Sequence, residues 1–167
     1  AAGEASGDMM VPERSEGGMA GLLYFEDVKV GDIERFGRYE VTRDEIVEYA
    51  RQFDPQPFHL DEAAAKASPF GGLIASGWHT GAMLIRMLND HSIPRAATSG
   101  ALGFDDLKWV KPVRPGDILS VESRVLEKTE SRSRPEIGVV KVESRVSNQA
   151  GELKMSLVSI VLYRRRR

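Results

Sequence analysis

Asp54 and His59 stand five positions apart in the segment Phe53-Asp54-Pro55-Gln56-Pro57-Phe58-His59-Leu60-Asp61. Each proline fixes its own φ and restricts the residue before it, so the chain itself sets the separation. A carboxylate and an imidazole held this way can share one water. The carboxylate can take its proton while the imidazole orients the water or supplies a proton elsewhere. Such spacing also arises by chance, so the pair alone does not establish catalysis.

Gly77 adds a different kind of signal, because it stands where an apolar helix is predicted to begin. The first amides of a helix have no internal acceptor, and the helix dipole lies behind them. They suit a developing oxyanion, and a residue without Cβ lets a carbonyl approach closely. The alternative is a tight turn before a helix. Gln56, Ser76, Trp78 and His79 flank these positions and are candidates for ligand contact. Trp78 either narrows a channel or fills core space, and large aromatics more often do the second. The ordinary reading of His79 and His91 is structural, with His91 complementing a helix C-terminus when charged. Asp54, His59, Asp61 and His79 are metal-ligand types, but nothing in the pattern enforces a coordination geometry, and no metal is expected.

The elements that must position these residues carry clear punctuation. Residues 28–32 read as a turn before a strand near 33–41. Thr42 followed by Glu45 predicts a capping box, and Ile46, Val47, Tyr49, Ala50 and Phe53 then mark one apolar helix face. Pro55 and Pro57 stop that helix, leaving 54–59 as a rigid loop. Asp61 reads as the cap of a short helix over 62–67, and 68–72 as a loop. Residues 78–88 predict a helix apolar on most sides, hence buried on most sides, as the central helix. Alternation then marks strands over 101–110, 118–128, 137–147 and 153–163, joined by short turns that argue an antiparallel meander. The fold class is α+β, with an antiparallel sheet curled over the long helix.

Composition narrows the chemistry further. The 167 residues suit one compact domain, here 22–167, preceded by a segment over 1–21. That segment is rich in glycine, alanine and acidic residues, lacks aromatics, and is expected to be mobile. The chain has no cysteine, which excludes thiolate metal sites, iron–sulfur clusters, disulfides and a cysteine nucleophile. A net charge of −2 gives no field that would draw it to nucleic acid or to an anionic membrane. The arginines at 164–167 are the exception, and they read as a solvated tail or as a contact for a phosphate-bearing partner. No stretch approaches the apolar length of a membrane span, and the N-terminus lacks a secretory pattern. The expected location is the cytoplasm.

With these residues in place, the chain resembles the MaoC-like dehydratase family, the (R)-specific enoyl-CoA hydratase branch of hotdog-fold proteins. The resemblance runs from about Tyr24 to Arg164. It is carried by Asp54-Pro55-Gln56-Pro57-Phe58-His59-Leu60-Asp61, by Ile74-Ala75-Ser76-Gly77 and by Val113-Arg114-Pro115-Gly116-Asp117. It implies that Asp54 and His59 are catalytic, contacting the water that adds across the double bond, and that the Gly77 amide holds the thioester carbonyl. It also implies an acyl-CoA or acyl-carrier thioester substrate, a role in fatty acid metabolism, no cofactor, and a homodimer or larger homo-oligomer in which two folds share one sheet. Hydration of an enoyl thioester needs a base, a proton for the α-carbon and a home for the enolate oxygen, and these three groups supply them. Gln56 replaces the asparagine common in hydratases, and Trp78 and His79 replace smaller or apolar residues. These departures are similar to family members likened to nodulation protein N, whose membership implies no particular substrate. A noncatalytic acyl-thioester-binding or regulatory module, and a hotdog thioesterase, stay open as alternatives.

Overall fold

A computed structural model describes residues 21–166. The mobile segment expected over 1–21 thus lies, but for its last residue, outside the described residues. A 3-10 turn at Phe25–Asp27 leads to β1 (Ile33–Glu40), α1 (Arg43–Phe53), α2 (Pro57–Leu60), α3 (Glu62–Ala67) and α4 (Gly77–His91). A second 3-10 turn at Ile93–Arg95 precedes β2 (Thr98–Trp109), β3 (Ile118–Glu130), β4 (Ile137–Ser147) and β5 (Leu153–Arg164).

The five strands form one antiparallel sheet in the order β1-β3-β4-β5-β2. β3, β4 and β5 make the expected meander, but β2 does not neighbour β3. It pairs with β5 at the far edge, through Phe104 opposite Ser159 and Trp109 opposite Met155. Alternation reveals that a strand exists and which way its side chains face, not which strand lies beside it. What allows the rearrangement is the crossover over 110–117, which is bonded along its length. Val110 N donates to Lys154 O, Ala75 N to Val113 O, and Gly116 N to Val41 O, at 2.8, 2.8 and 2.9 Å.

One face of the sheet packs on α4. Met83, Leu84 and Met87 meet Leu119, Val121, Val146, Met155 and Leu157, and Ile46, Val47, Leu73 and Val113 complete the core. The helix is not buried on most sides: Trp78 is 60% exposed and Ile85 is also exposed. A single sheet covers a single side, so the opposite stripe of an apolar helix stays open. Phe53 departs from its expected face as well, 68% exposed at the C-terminal end of α1.

Half of the capping box forms. Thr42 Oγ1 accepts from Glu45 N at 3.3 Å, but the Glu45 carboxylate turns away to the Tyr39 hydroxyl. The arginine run is not a free solvated tail. Arg165 meets Glu26 and Glu130 at 3.4 and 3.0 Å, and Arg166 donates to Asp27 at 2.7 Å, so the run straps the Phe25–Asp27 turn. Arg167 lies outside the described residues.

Asp117, the last residue of the third resemblance segment, anchors the crossover. It accepts from Arg114 N and Asn148 Nδ2 at 2.8 and 3.0 Å and pairs with Lys154 Nζ at 3.3 Å. Lys154 is 5% exposed and also donates to Pro112 O at 3.0 Å. Removing one partner of a buried pair leaves the other charge uncompensated, so Lys154→Met should lower unfolding free energy by about 3–5 kcal/mol in urea titration. Adding Asp117→Asn should recover part of that loss. At the exposed end of this network, hydrogen bonds from Lys111 and then Asn148 hold the Glu152 carboxyl at about 2, below its ordinary 4.5. A depressed carboxyl stabilises the fold above its unfolded value and loses that contribution as pH falls through the folded one. Melting temperature should therefore carry a component that fades from pH 4.5 towards 2 and is missing in Glu152→Gln.

Candidate active site

Asp54 ends α1 as its C-cap, its amide donating to Ala50 O at 3.0 Å. Two residues on, the chain enters a helical turn rather than the expected loop, because a proline is tolerated at the first helical position, where its missing N–H would have no partner. Pro57 takes that position, and His59 is carried on the turn with its amide bonded to Gln56 O at 3.0 Å. The rigidity read from the prolines is thus helical geometry.

The His59 ring is buried, and its two nitrogens have different tasks. Nδ1 lies 2.7 Å from the Ile74 carbonyl, which can only accept, so Nδ1 carries a proton. Nε2 faces Asp54 Oδ2 at 3.3 Å. All proton exchange by this histidine therefore passes through the atom beside the carboxylate. Burial alone would push the Asp54 carboxyl up. Ser76 and Gln56, then the charge and hydrogen bond of His59, outweigh it and hold the group below its usual value. Gln56 Nε2 donates to Asp54 Oδ1 at 2.7 Å. The Ser76 hydroxyl is buried and lies near enough to favour the carboxylate, though it makes no hydrogen bond of normal geometry.

The segment before α4 brings the third group. Ala75 is bonded to the crossover at Val113, Ser76 stands at the N-cap position without a side-chain capping bond, and Gly77 is the first residue of the helix. A Cβ on Gly77 would stand 2.4 Å from Trp109 Cε2, so the indole lies directly on the glycine backbone. Asp54, Gln56, His59, Ser76, Gly77 and Trp78 all line one cavity of about 460 Å³. Its other walls include Phe58, Phe70, Trp109, Lys111 and Lys154. Trp78 therefore borders this space instead of filling the core.

His79 is not among the lining residues. It stacks on Tyr49 with ring centroids 4.5 Å apart, and its Nε2 is 3.5 Å from Glu45 Oε1. Burial lowers its pKa against the opposing Glu45 carboxylate, and its Nδ1 has no hydrogen-bond partner. Burial, and then Glu45, push the Tyr39 hydroxyl up to about 12, so it stays a donor to that carboxylate. His91 ends α4, stacked on Phe36 and 3.3 Å from Glu34. Among the described residues no group of three or more His, Asp or Glu side chains could hold a metal ion.

Trp109 and Lys154 border the cavity without having been singled out from the sequence. Trp109 lies two residues after Leu107, which packs against the core, so a strand period of two puts both side chains on one face. Lys154 carries no comparable signal, since Pro112 and Asp117, which hold it, lie in the crossover, far from it in the chain.

Comparison with known proteins agrees with this architecture. The model of the MaoC like domain family matches residues 30–149. A MaoC-like dehydratase from Rhodospirillum rubrum, solved by crystallography, superposes with a TM-score of 0.81 at 45% identity, covering 87% of this chain and 99% of that one. The unliganded (R)-hydratase PhaJ1 of Pseudomonas aeruginosa gives 0.69 at 27% identity, covering 86% of each chain. The 3-hydroxybutyryl-CoA dehydratase of Methylorubrum extorquens is 35% identical over 115 residues, 68% of this chain and 70% of its own length. The expected fold is thus present: an α+β hotdog, an antiparallel sheet around a central helix.

The close packing at Gly77 has a measurable consequence. Gly77→Ala forces the Trp109 ring off the helix start, and overpacking of this kind costs about 1–3 kcal/mol. Unfolding followed by tryptophan fluorescence should show that loss together with a shifted native emission, and Trp109→Leu in the same chain should relieve it.

Proposed function

The chain belongs to the MaoC-like dehydratase family, and on that premise we propose that it is a hydro-lyase adding water to a trans-2-enoyl thioester to give the (R)-3-hydroxyacyl thioester. What supports this most is the convergence of Asp54, His59 and the α4 start at Gly77 on one cavity.

The geometry suggests a division of labour. Water sits against Asp54 and His59 Nε2 at the mouth of the pair. With Nδ1 committed to the Ile74 carbonyl, Nε2 takes the water proton, and the Asp54 carboxylate orients the water and stabilises the imidazolium. This reverses the role suggested by spacing alone, in which the carboxylate was the base. The water oxygen bonds to the β-carbon, and the alkene electron pair moves through the α-carbon onto the thioester oxygen. The Gly77 amide and the α4 dipole hold that enolate. Nε2 then returns its proton to the α-carbon, restoring the carbonyl, so both water hydrogens are accounted for in the product.

Purified protein should consume the absorbance of crotonyl-CoA without releasing thiol, which separates hydration from thioesterase action. Asp54→Asn and His59→Gln should each lower kcat/KM by about 10²–10⁴-fold while circular dichroism and melting stay near wild type. Wild-type protein inert towards enoyl-CoAs of four to twelve carbons would sink this reading. Tight acyl-CoA binding insensitive to both variants would instead favour a noncatalytic binding module.

The proposed substrate is an acyl-CoA or acyl-carrier thioester and the proposed location the cytoplasm. Among the described residues no helix is long and apolar enough to cross a membrane. The protein is proposed to work as a homodimer joined along β2. That strand is an edge of the sheet and exposes Leu102 and Phe104. Light scattering should give the dimer mass, and Leu102→Glu with Phe104→Glu should give the monomer mass.

A further inference from the structure

A second, smaller space lies beside the proposed reacting centre. This groove of about 180 Å³ runs between α4 and the β2–β5 pair, among Gly81, Ala82, Ile85, Leu88, Leu107 and Leu157. No charged side chain borders it, whereas the larger cavity has Asp54, Lys111 and Lys154 on its walls. Three residues line both spaces: Gly77, Trp78 and Trp109. The two indoles meet edge to face, with centroids 5.3 Å apart and planes at 80°.

We propose that the Trp78–Trp109 pair closes the acyl end of the active cavity and restricts the substrate to short acyl chains, with the groove behind it a latent acyl site. The inference rests on the reading of Asp54, His59 and Gly77 as the reacting centre. A thioester carbonyl at the Gly77 amide lies one side chain away from the Trp109 ring, because that ring is packed on the Gly77 backbone. Carbons beyond the β-position therefore meet the indoles at once. Past them the wall is made for an alkyl chain: Gly81 and Ala82, three and four residues after Trp78 on the same helical side, leave open space flanked by aliphatic groups. An edge-to-face pair is a favoured aromatic arrangement, and the Gly77 contact seats Trp109 further. Both indoles are about half exposed, so removing either leaves the core intact.

Calorimetric binding of saturated butyryl-, octanoyl- and dodecanoyl-CoA tests this independently of turnover, since none can be hydrated. The wild type should bind butyryl-CoA at least about tenfold more tightly than dodecanoyl-CoA, a ratio within reach of pocket shape alone. Trp78→Ala and Trp109→Ala should each raise dodecanoyl-CoA affinity tenfold or more and reverse the order, while Trp78→Phe should keep the wild-type order. A wild type indifferent to chain length, or alanine variants that keep its order, would overturn the proposal. So would a reversal produced by Phe70→Ala and by neither tryptophan variant, which would put the acyl tail at the opposite end of the cavity. The expected binding order with no turnover of crotonyl-CoA would uphold the closure and remove the hydratase reading; no binding of any acyl-CoA would overturn both.

Discussion

The hydrogen bond from His59 Nδ1 to the Ile74 carbonyl is the contact on which the site depends. At 2.7 Å and buried, it settles which ring nitrogen is protonated and aims the other at Asp54. It also ties the turn carrying His59 to the segment that delivers Ser76 and Gly77. Two stretches fifteen residues apart are thereby held in one frame. A buried carbonyl needs a donor and a buried imidazole needs a partner, so each satisfies the other's requirement.

Around that bond, the wall of the cavity is built from parts with other structural duties. The crossover over 110–117 carries β2 to the far edge of the sheet, and the same passage supplies Val110, Lys111, Pro112 and Val113 to the lining. Lys154 and Asp117 hold the passage down, so a buried ion pair serves the position of the wall more than the chemistry within it. Glu45 shows the same economy from the other direction. Its carboxylate leaves the helix cap, where a hydrogen bond is weak and exposed, for Tyr39 and the buried ring of His79 behind the cavity.

Much of the architecture was legible because period and punctuation are local properties. Alternation located β3, β4 and β5 to within two residues at each end, and Asp61 caps α3 as its type and place foretold, accepting from Ala64 N at 2.7 Å. Of the seven residues singled out as a site, six border one cavity, and their spacing carried that information because prolines and a helix start limit where each can go. Misreadings arose where the outcome turned on what lies across space. Trp78 and Phe53 look like core residues by type, yet neither has a covering element. The arginines at 164–166 look like a free tail until the acidic turn at Phe25–Asp27 is brought beside them.

The sequence by itself determined the element types, the α+β class, and a carboxylate–imidazole pair held at short range with a glycine at a helix start. These follow from torsional restriction and from side-chain periodicity, which act within a few residues. Only the tertiary structure decided that β2 lies beside β5, that His59 turns Nε2 towards Asp54, that His79 sits behind the cavity rather than on it, and that Trp109 rests on Gly77. Each of these is a contact between residues distant in the chain. Its partner is selected by packing and by the satisfaction of buried polar groups, which no local pattern records.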